Sequence, residues 1–215
     1  MQRWNINAVR LVASTYGVLA GLAGLEHGFF EILQGNVATG GIMIQAIGPA
    51  QRFWPHGGEP AMTLLPNFLI TGILAMLVGC LVILWAAAFV QRKYGGLVLI
   101  LLSALQLLMG GGIMPIFLAV TGGIVATGIN APLTWWGAHF PVSMQRFLAR
   151  LFPWSYGIFL CIYFIALEVA IIGYVPGTPD PLAFLWTIAY IMMAIFLFVA
   201  IAGLANRVQK GVAGS

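Results

Sequence analysis

Long apolar segments alternate with short polar segments along most of the chain. A membrane crossing needs about 20 consecutive apolar residues, so each long apolar segment predicts a spanning helix. Four such helices are predicted directly by this pattern, at about residues 7–33, 61–90, 154–175 and 182–205. A fifth apolar run covers residues 95–128, and a glycine- and proline-rich loop covers residues 35–61.

The run 95–128 is too long for a single crossing. Its 34 residues would make a helix of about 51 Å, against a hydrocarbon core of about 30 Å. Gly110, Gly111, Gly112 and Pro115 favour a break, because glycine and proline are poor in a helix interior and common in turns. The run therefore crosses twice, crosses once in a tilted or broken form, or forms a re-entrant pair.

The positions of the basic residues favour two crossings. If this run crosses twice, or forms a re-entrant pair, all the basic pairs that flank helices lie on one side of the membrane, as the positive-inside rule requires. These pairs are Arg3 and Arg10, Arg92 and Lys93, Arg146 and Arg150, and Arg207 and Lys210. We predict one all-α transmembrane domain over residues 1–215 with six crossings, the alternatives being five helices or a re-entrant pair at 95–128. Both termini are then cytoplasmic, residues 35–61 form an outer loop, and residues 131–153 form an inner interfacial segment.

Composition supports a multi-pass protein of the cell membrane. The chain is 61% hydrophobic and only 7% charged, whereas soluble domains are about 25% charged. Residues 1–25 resemble a secretory signal, and we expect them to stay as the first spanning helix. The basic residues flank apolar segments, so no nucleic-acid partner is indicated; Cys80 and Cys161 lie inside apolar runs and match no disulfide or CxxC pattern.

A stripe of small residues follows one face of the first helix. Gly17, Gly21, Gly24 and Gly28 recur every three or four residues, a spacing that lets a neighbouring backbone approach closely. We expect this face to pack against another helix. It is also the surface through which the chain could form an oligomer or act as an accessory subunit.

The same helix carries ionisable side chains. Glu26, His27 and Glu31 lie within an apolar span, where a charged group is costly and therefore indicates a functional site. Counted from Arg10, Glu26 lies about 24 Å along the helix and Glu31 about 31 Å. We therefore expect Glu26 to be inside the hydrocarbon core and Glu31 to be at its edge, where it could simply reach the headgroups.

Other polar residues fall at the same predicted depth in the outer half of the membrane. Gln106 lies about 20 Å beyond Lys93, and Glu168 lies about 27 Å beyond Arg150. Asn67 begins a helix that descends from the outside, below the loop that holds Arg52, His56 and Glu59. The candidate ligand-binding residues are the polar groups that converge on this level: Glu26, His27, Glu31, Asn67, Gln106 and Glu168.

Each of these residues also has a purely structural interpretation. Glu26 and Glu168 could be protonated or paired with His27, which would hold two helices together, and Asn67 and Gln106 could form interhelical hydrogen bonds.

The sequence gives little support for a specific cofactor. No lysine lies within a span for a retinal Schiff base, and no histidine pair suits a haem. His27 with Glu26, Glu31 and Glu168 could bind a metal, but no HExxH or ExxH motif is present, so we predict no metal site and name no cofactor.

Part of the chain resembles a known family. The segments EHGFFEILQG, NFLITGILAMLVGCLVIL, QRKYGG and LVLILLSALQLL are similar in order to small DoxX-like four-helix membrane proteins, over about residues 8–130. The remaining residues have no counterpart in that pattern. The resemblance implies an accessory subunit of membrane redox or sulfur metabolism with quinone-like partners.

The leading functional prediction is a membrane protein with an outer-leaflet polar pocket that binds a small lipophilic or lipid-like molecule. Three alternatives use the same residues or surfaces. The first is a membrane enzyme in which His27 and a carboxylate act as acid and base on an isoprenoid or sterol-like substrate. The second is a proton-coupled transporter, and the third is a structural subunit of a membrane complex. The sequence does not decide whether the protein is an enzyme.

Overall fold

The computed structural model describes residues 7–213, which form a helical bundle with one small two-stranded sheet. The all-α prediction is confirmed. The helices are α1 Ala8–Leu33, α2 Phe68–Leu84, α3 Gly95–Leu108, α4 Met114–Ala126, α5 Thr134–His139, α6 Val142–Ile171 and α7 Pro181–Ala213. A π-helical turn, Trp85–Phe89, continues α2. The strands β1 Met43–Gln45 and β2 Pro60–Met62 pair antiparallel.

Four helices of the described chain are long and apolar enough to cross a membrane: Ala8–Leu33, Phe68–Phe89, Val142–Ile171 and Pro181–Gly211. The chain is thus compatible with an integral membrane protein. Six crossings are not confirmed, because α3 has 14 residues and α4 has 13. At about 1.5 Å per residue these helices are only about 20 Å long, short of a core of about 30 Å.

Helices α3 and α4 form an antiparallel hairpin. The break predicted within residues 95–128 is confirmed, since α3 ends at Leu108 and α4 begins at Met114. Gly96 near the start of α3 packs against the backbone of Gly123 near the end of α4. The hairpin thus leaves one end of the bundle and returns to it, as the re-entrant alternative requires, and a single continuous helix is absent from this run.

Contacts between polar side chains and the backbone bring the basic segments to one end of the bundle. The Asn130 side chain donates to the carbonyl of Gln91 at 2.9 Å. The guanidinium of Arg207 donates to the carbonyl of Ile129 at 3.3 Å, and the Asn7 amide donates to the same carbonyl at 3.5 Å. At the opposite end, the Trp54 indole of the loop donates to the carbonyl of Ala170 in α6 at 3.3 Å.

Helix α1 is the centre of the bundle, and its glycines allow α2 to approach closely. A Cβ on Gly28 would lie 2.6 Å from the carbonyl oxygen of Gly72, and Gly21 has the same relation to Gly79, at 2.7 Å. Gly17 faces Ala86, while Gly24 faces the side chain of Gln106. The predicted close packing against this face is confirmed within the chain. An assembly through the same face stays a prediction, and it would require this contact to open.

Two predicted boundaries differ from the structure. The second helix begins at Phe68 rather than near Ala61, because β2 occupies Pro60–Met62 and Asn67 caps the helix by accepting from the backbone N–H of Ile70 at 3.1 Å. Residues 142–153, predicted as part of an interfacial segment before a helix that begins near Trp154, form the first turns of α6. Pro153 lies inside α6, where a proline removes one backbone hydrogen bond and crowds the preceding turn without ending the helix.

Candidate functional site

The centre of the candidate site is His27, a fully buried side chain near the loop end of α1. Its Nδ1 atom lies 2.8 Å from the carbonyl oxygen of Ala23, one turn earlier in the helix. A carbonyl oxygen can only accept a hydrogen bond, so Nδ1 carries the hydrogen. Nε2 is therefore left to contact a second group.

Two carboxylates flank the His27 ring, one on each side. Oε2 of Glu26 lies 3.0 Å from Nδ1, and Oε2 of Glu59 lies 3.0 Å from Nε2. Glu26 comes from α1, whereas Glu59 comes from the loop just before β2. The two side chains keep 16% and 19% of their exposure, although both carboxylate oxygens of Glu26 are buried.

Glu59 was not among the predicted ligand-binding residues, although it was placed in the loop above them. The only signal in the sequence was that it is the sole acidic residue of that loop. Burial opposes its ionisation, yet the adjacent His27 ring holds the pKa of the Glu59 carboxyl below its usual range. Glu59 is therefore a carboxylate at neutral pH.

Glu31 is completely buried inside the protein. Its exposed fraction is 0%, and neither carboxylate oxygen has a hydrogen-bond partner. The expectation that it reaches the headgroups is wrong, because the turn between α3 and α4 packs over it. Gly110 lies directly against the Glu31 carboxylate, leaving no room for a side chain at that position.

The turn Gly110–Gly112 covers three polar side chains at once. Gly110 contacts Glu31, Gly111 contacts Gln106, and a Cβ on Gly112 would lie 2.5 Å from Nε2 of His27. Both Gly110 and Gly112 have left-handed backbone conformations, with φ of +97° and +87°. Glycine is required here both for its backbone conformation and for the space that it leaves.

The outer loop holds this turn in place through backbone hydrogen bonds. The N–H of Gly110 donates to the carbonyl of Met62 at 2.9 Å, and the N–H of Ile113 donates to the carbonyl of Pro60 at 3.2 Å. The N–H of Leu64 also donates to the carbonyl of Leu108 at 3.0 Å. Residues 60–64 and 108–113 together form the cover of the site.

Gln106 lies at the site, as its predicted depth suggested. Its amide nitrogen donates to the carbonyl of Ala20 at 2.8 Å and to that of Gly111 at 3.4 Å. Its side-chain oxygen is buried and has no hydrogen-bond partner. Gln106 thus links α3 to α1 and still offers a free acceptor.

Two predicted site residues are not brought to this cluster. The Asn67 side chain caps α2 and donates to Oδ1 of Asn36 at 2.7 Å, so its role is local. Glu168 is half-buried on α6 and lies outside the group formed by Glu26, His27 and Glu59. Equal depth along two helices does not establish that two side chains face each other.

Hydrogen-bond acceptors outnumber donors in the cluster. Seven buried side-chain atoms of the described residues have no hydrogen-bond partner, and six of them belong to this site: both oxygens of Glu26, both of Glu31, Oε1 of Gln106 and Nε2 of His27. Two of the six, Oε2 of Glu26 and Nε2 of His27, still have ion-pair contacts at 3.0 Å, so the atoms without any such contact are Oε1 of Glu26, both oxygens of Glu31 and Oε1 of Gln106. Buried polar atoms are nearly always paired in folded proteins, because an unpaired one costs about 1–3 kcal/mol. The site is therefore built to receive a donor or a cation.

The geometry suits more than one chemistry. One donor atom from each of Glu26, His27 and Glu59 lies within 4.8 Å of the others, so these three residues could hold a metal ion. The convergence of an imidazole and a carboxyl oxygen, which acid and base chemistry requires, is also present. No protein family, curated protein or solved structure matches the chain.

Proposed function

We propose that this chain is an integral membrane protein that binds a small lipophilic molecule through a hydrogen-bond donor of that molecule, such as a hydroxyl group. The observation that supports it is the surplus of buried acceptors around His27 and Glu31. In nonpolar surroundings, a hydrogen bond to a charged group is worth about 1.5–3 kcal/mol. A molecule that is soluble in lipid and carries a donor would satisfy these acceptors.

A nonpolar groove beside the site offers a place for the apolar part of such a molecule. The groove has a volume of about 400 Å³ and is lined mainly by nonpolar residues of the segments 38–42 and 63–66. At its edge the Thr63 hydroxyl hydrogen-bonds that of Thr71 at 2.6 Å, and Thr71 donates to the carbonyl of Met109 at 2.7 Å. The residue after Met109 is Gly110, which covers Glu31. Hydrogen bonds from Thr63 through Thr71 to Met109 therefore connect the groove to the segment that covers the acceptors.

We place the basic end of the bundle in the cytoplasm of a cell-membrane protein, by the positive-inside rule. Both ends of the chain then lie inside, and the cluster lies in the outer half of the bilayer. The hairpin α3–α4 enters from the cytoplasmic side, and its tip meets the outer loop, which dips into the bilayer. A quinol is a lipophilic donor of the proposed kind, in line with the partners implied by the DoxX-like resemblance.

Two ligands that share a tail but differ in their donor provide the test. Farnesol carries a hydroxyl, whereas farnesyl methyl ether has the same isoprenoid chain and can only accept. Binding to the purified protein in detergent micelles, with EDTA present, is followed by tryptophan fluorescence. We expect farnesol to bind about 10- to 100-fold more tightly, which corresponds to one hydrogen bond to a charged acceptor.

Variants link this preference to the cluster. Glu31→Met removes two acceptors with little change in length, and we expect it to reduce the preference for farnesol. Glu168→Met is the matched control, because Glu168 is another glutamate of a long apolar helix and lies outside the cluster. Equal binding of the two ligands by the unmodified protein, or an equal preference in Glu31→Met, would show the proposal to be wrong.

A further inference from the structure

The distance between His27 and Glu59 fits two ligands of one metal ion as well as an ion pair. Nε2 of His27 and Oε2 of Glu59 are 3.0 Å apart. Two adjacent ligand atoms in an octahedral site, each about 2.1 Å from the metal, lie about 3.0 Å apart.

The orientation of the His27 ring is also that of a metal ligand. Metal-binding histidines usually donate their second N–H to a carbonyl or carboxylate, which fixes the tautomer and leaves the other nitrogen for the metal. Here Nδ1 donates to the carbonyl of Ala23 at 2.8 Å. The backbone of Gly112 lies against this nitrogen, and a Cβ there would come within 2.5 Å of Nε2.

The charge of the cluster favours a cation as well. Glu26, Glu31 and Glu59 are three of the five acidic residues in the whole chain. Glu31 is 0% exposed, and neither of its carboxyl oxygens has a hydrogen-bond partner. An unpaired buried carboxylate beside a histidine and two further carboxylates is an arrangement that a divalent ion would stabilise.

We propose that Glu26, His27 and Glu59 bind one divalent transition-metal ion, with Glu31 as a nearby counter-charge. One imidazole nitrogen with carboxylate oxygens suits Mn²⁺, Fe²⁺ or Zn²⁺ better than Ca²⁺ or Mg²⁺, which prefer ligand sets made of oxygen alone. This proposal goes beyond the binding of a lipophilic molecule and does not depend on it. Binding joins the loop to α1, because Glu59 is the only one of the three ligands outside the helix.

The test is a titration of the full-length protein with Mn²⁺ in detergent, after treatment with EDTA and its removal. Loss of the electron paramagnetic resonance signal of free Mn²⁺ measures binding, and Zn²⁺ is added as a competitor. We expect one ion per chain and displacement by Zn²⁺. Glu59→Gln and His27→Gln should each lower the affinity at least 10-fold, whereas Glu168→Gln should bind as the unmodified protein does.

A second measurement separates lost ligands from lost folding. Mn²⁺ should raise the Tm of the unmodified protein and of Glu168→Gln, because an ion that binds only the folded state stabilises it. Glu59→Gln, whose side chain is partly exposed on a loop, should stay folded but show no shift with Mn²⁺. The proposal is overturned if the unmodified protein shows no saturable binding up to millimolar Mn²⁺, or if both ligand variants bind normally. The Mn²⁺ titration contains no farnesol, and the farnesol test contains EDTA. The metal proposal and the lipophilic-ligand proposal can therefore fail independently of each other.

Discussion

Gly28 of α1 and Gly72 of α2 face each other backbone to backbone, and a Cβ added to either would lie 2.6 Å from the carbonyl oxygen of the other. Gly28→Ala should therefore force the two helices apart. We expect a loss of about 1–3 kcal/mol, as for other overpacked sites. Thermal unfolding in detergent micelles measures it.

The control for this substitution is Gly157→Ala in α6, where nothing lies within 4 Å of an added Cβ. Alanine favours a helix over glycine by up to about 1 kcal/mol, so this variant should melt at the same temperature or slightly higher. Equal Tm values for the two variants would contradict close packing between α1 and α2.

Removing the buried carboxylate of Glu31 should stabilise the protein while it weakens ligand binding. Both oxygens of Glu31 lack hydrogen-bond partners, and each unpaired buried acceptor costs about 1–3 kcal/mol. We expect the Glu31→Met variant to have a higher Tm than the unmodified protein in EDTA without added ligand. A lower Tm would mean that Glu31 makes a contact on which the fold depends.

Gly112→Ala should reduce Mn²⁺ binding at the site more than it reduces the stability of the helical bundle. The backbone there is left-handed, and a Cβ would lie 2.5 Å from Nε2 of His27. We expect a loss of about 1–3 kcal/mol in stability and no measurable Mn²⁺ binding. Gly41→Ala in the outer loop is the control, because its Cβ meets nothing within 4 Å; it should change neither Tm nor Mn²⁺ affinity.

Acidification should remove the stabilising effect of Glu59. The pKa of Glu59 is lower in the folded protein than in the unfolded chain, so ionised Glu59 stabilises the fold. This stabilisation is fully present above the unfolded pKa of about 4.3 and is lost as the pH falls through the folded pKa. Tm measured in EDTA from pH 7 to pH 3 should fall more steeply for the unmodified protein than for Glu59→Gln. Parallel curves for the unmodified protein and Glu59→Gln would contradict this role.

Cysteine labelling tests the orientation of the bundle. After Cys80 and Cys161 are replaced by Ala, single cysteines are placed at Gly41 in the loop and at Gly211 near the end of α7, where an added Cβ meets nothing. A membrane-impermeant maleimide applied to whole cells should label Gly41→Cys only. Labelling of both positions, or of Gly211→Cys alone, would contradict the proposed topology.

Local patterns predicted much of the fold. The span of α1, the close packing at its glycine face and the break in the run 95–128 all follow from residue types within a few turns of one another. The partner of that face, α2, did not follow from them. These features depend on helix periodicity, which the sequence shows directly. The predicted depth of Gln106 was informative for the same reason, because depth along a helix is a local count.

The cover of the site could not be predicted in this way. The bonds from Gly110 to Met62 and from Ile113 to Pro60 join segments about fifty residues apart, and backbone hydrogen bonds leave no side-chain pattern to recognise. Without that cover, Glu31 falls at the membrane edge by depth alone. Glu168 lies outside the cluster because a depth count does not indicate which way a side chain faces.

The cover also determines when the site is completed during synthesis. His27 and Glu31 lie in α1, which is synthesised before the hairpin, yet the turn that encloses them ends only at residue 112, about eighty residues later. Until the hairpin has joined the loop, α1 must carry an imidazole and two carboxylates without their enclosure. The nascent protein therefore passes through a stage in which water, or another membrane protein, has to solvate these groups.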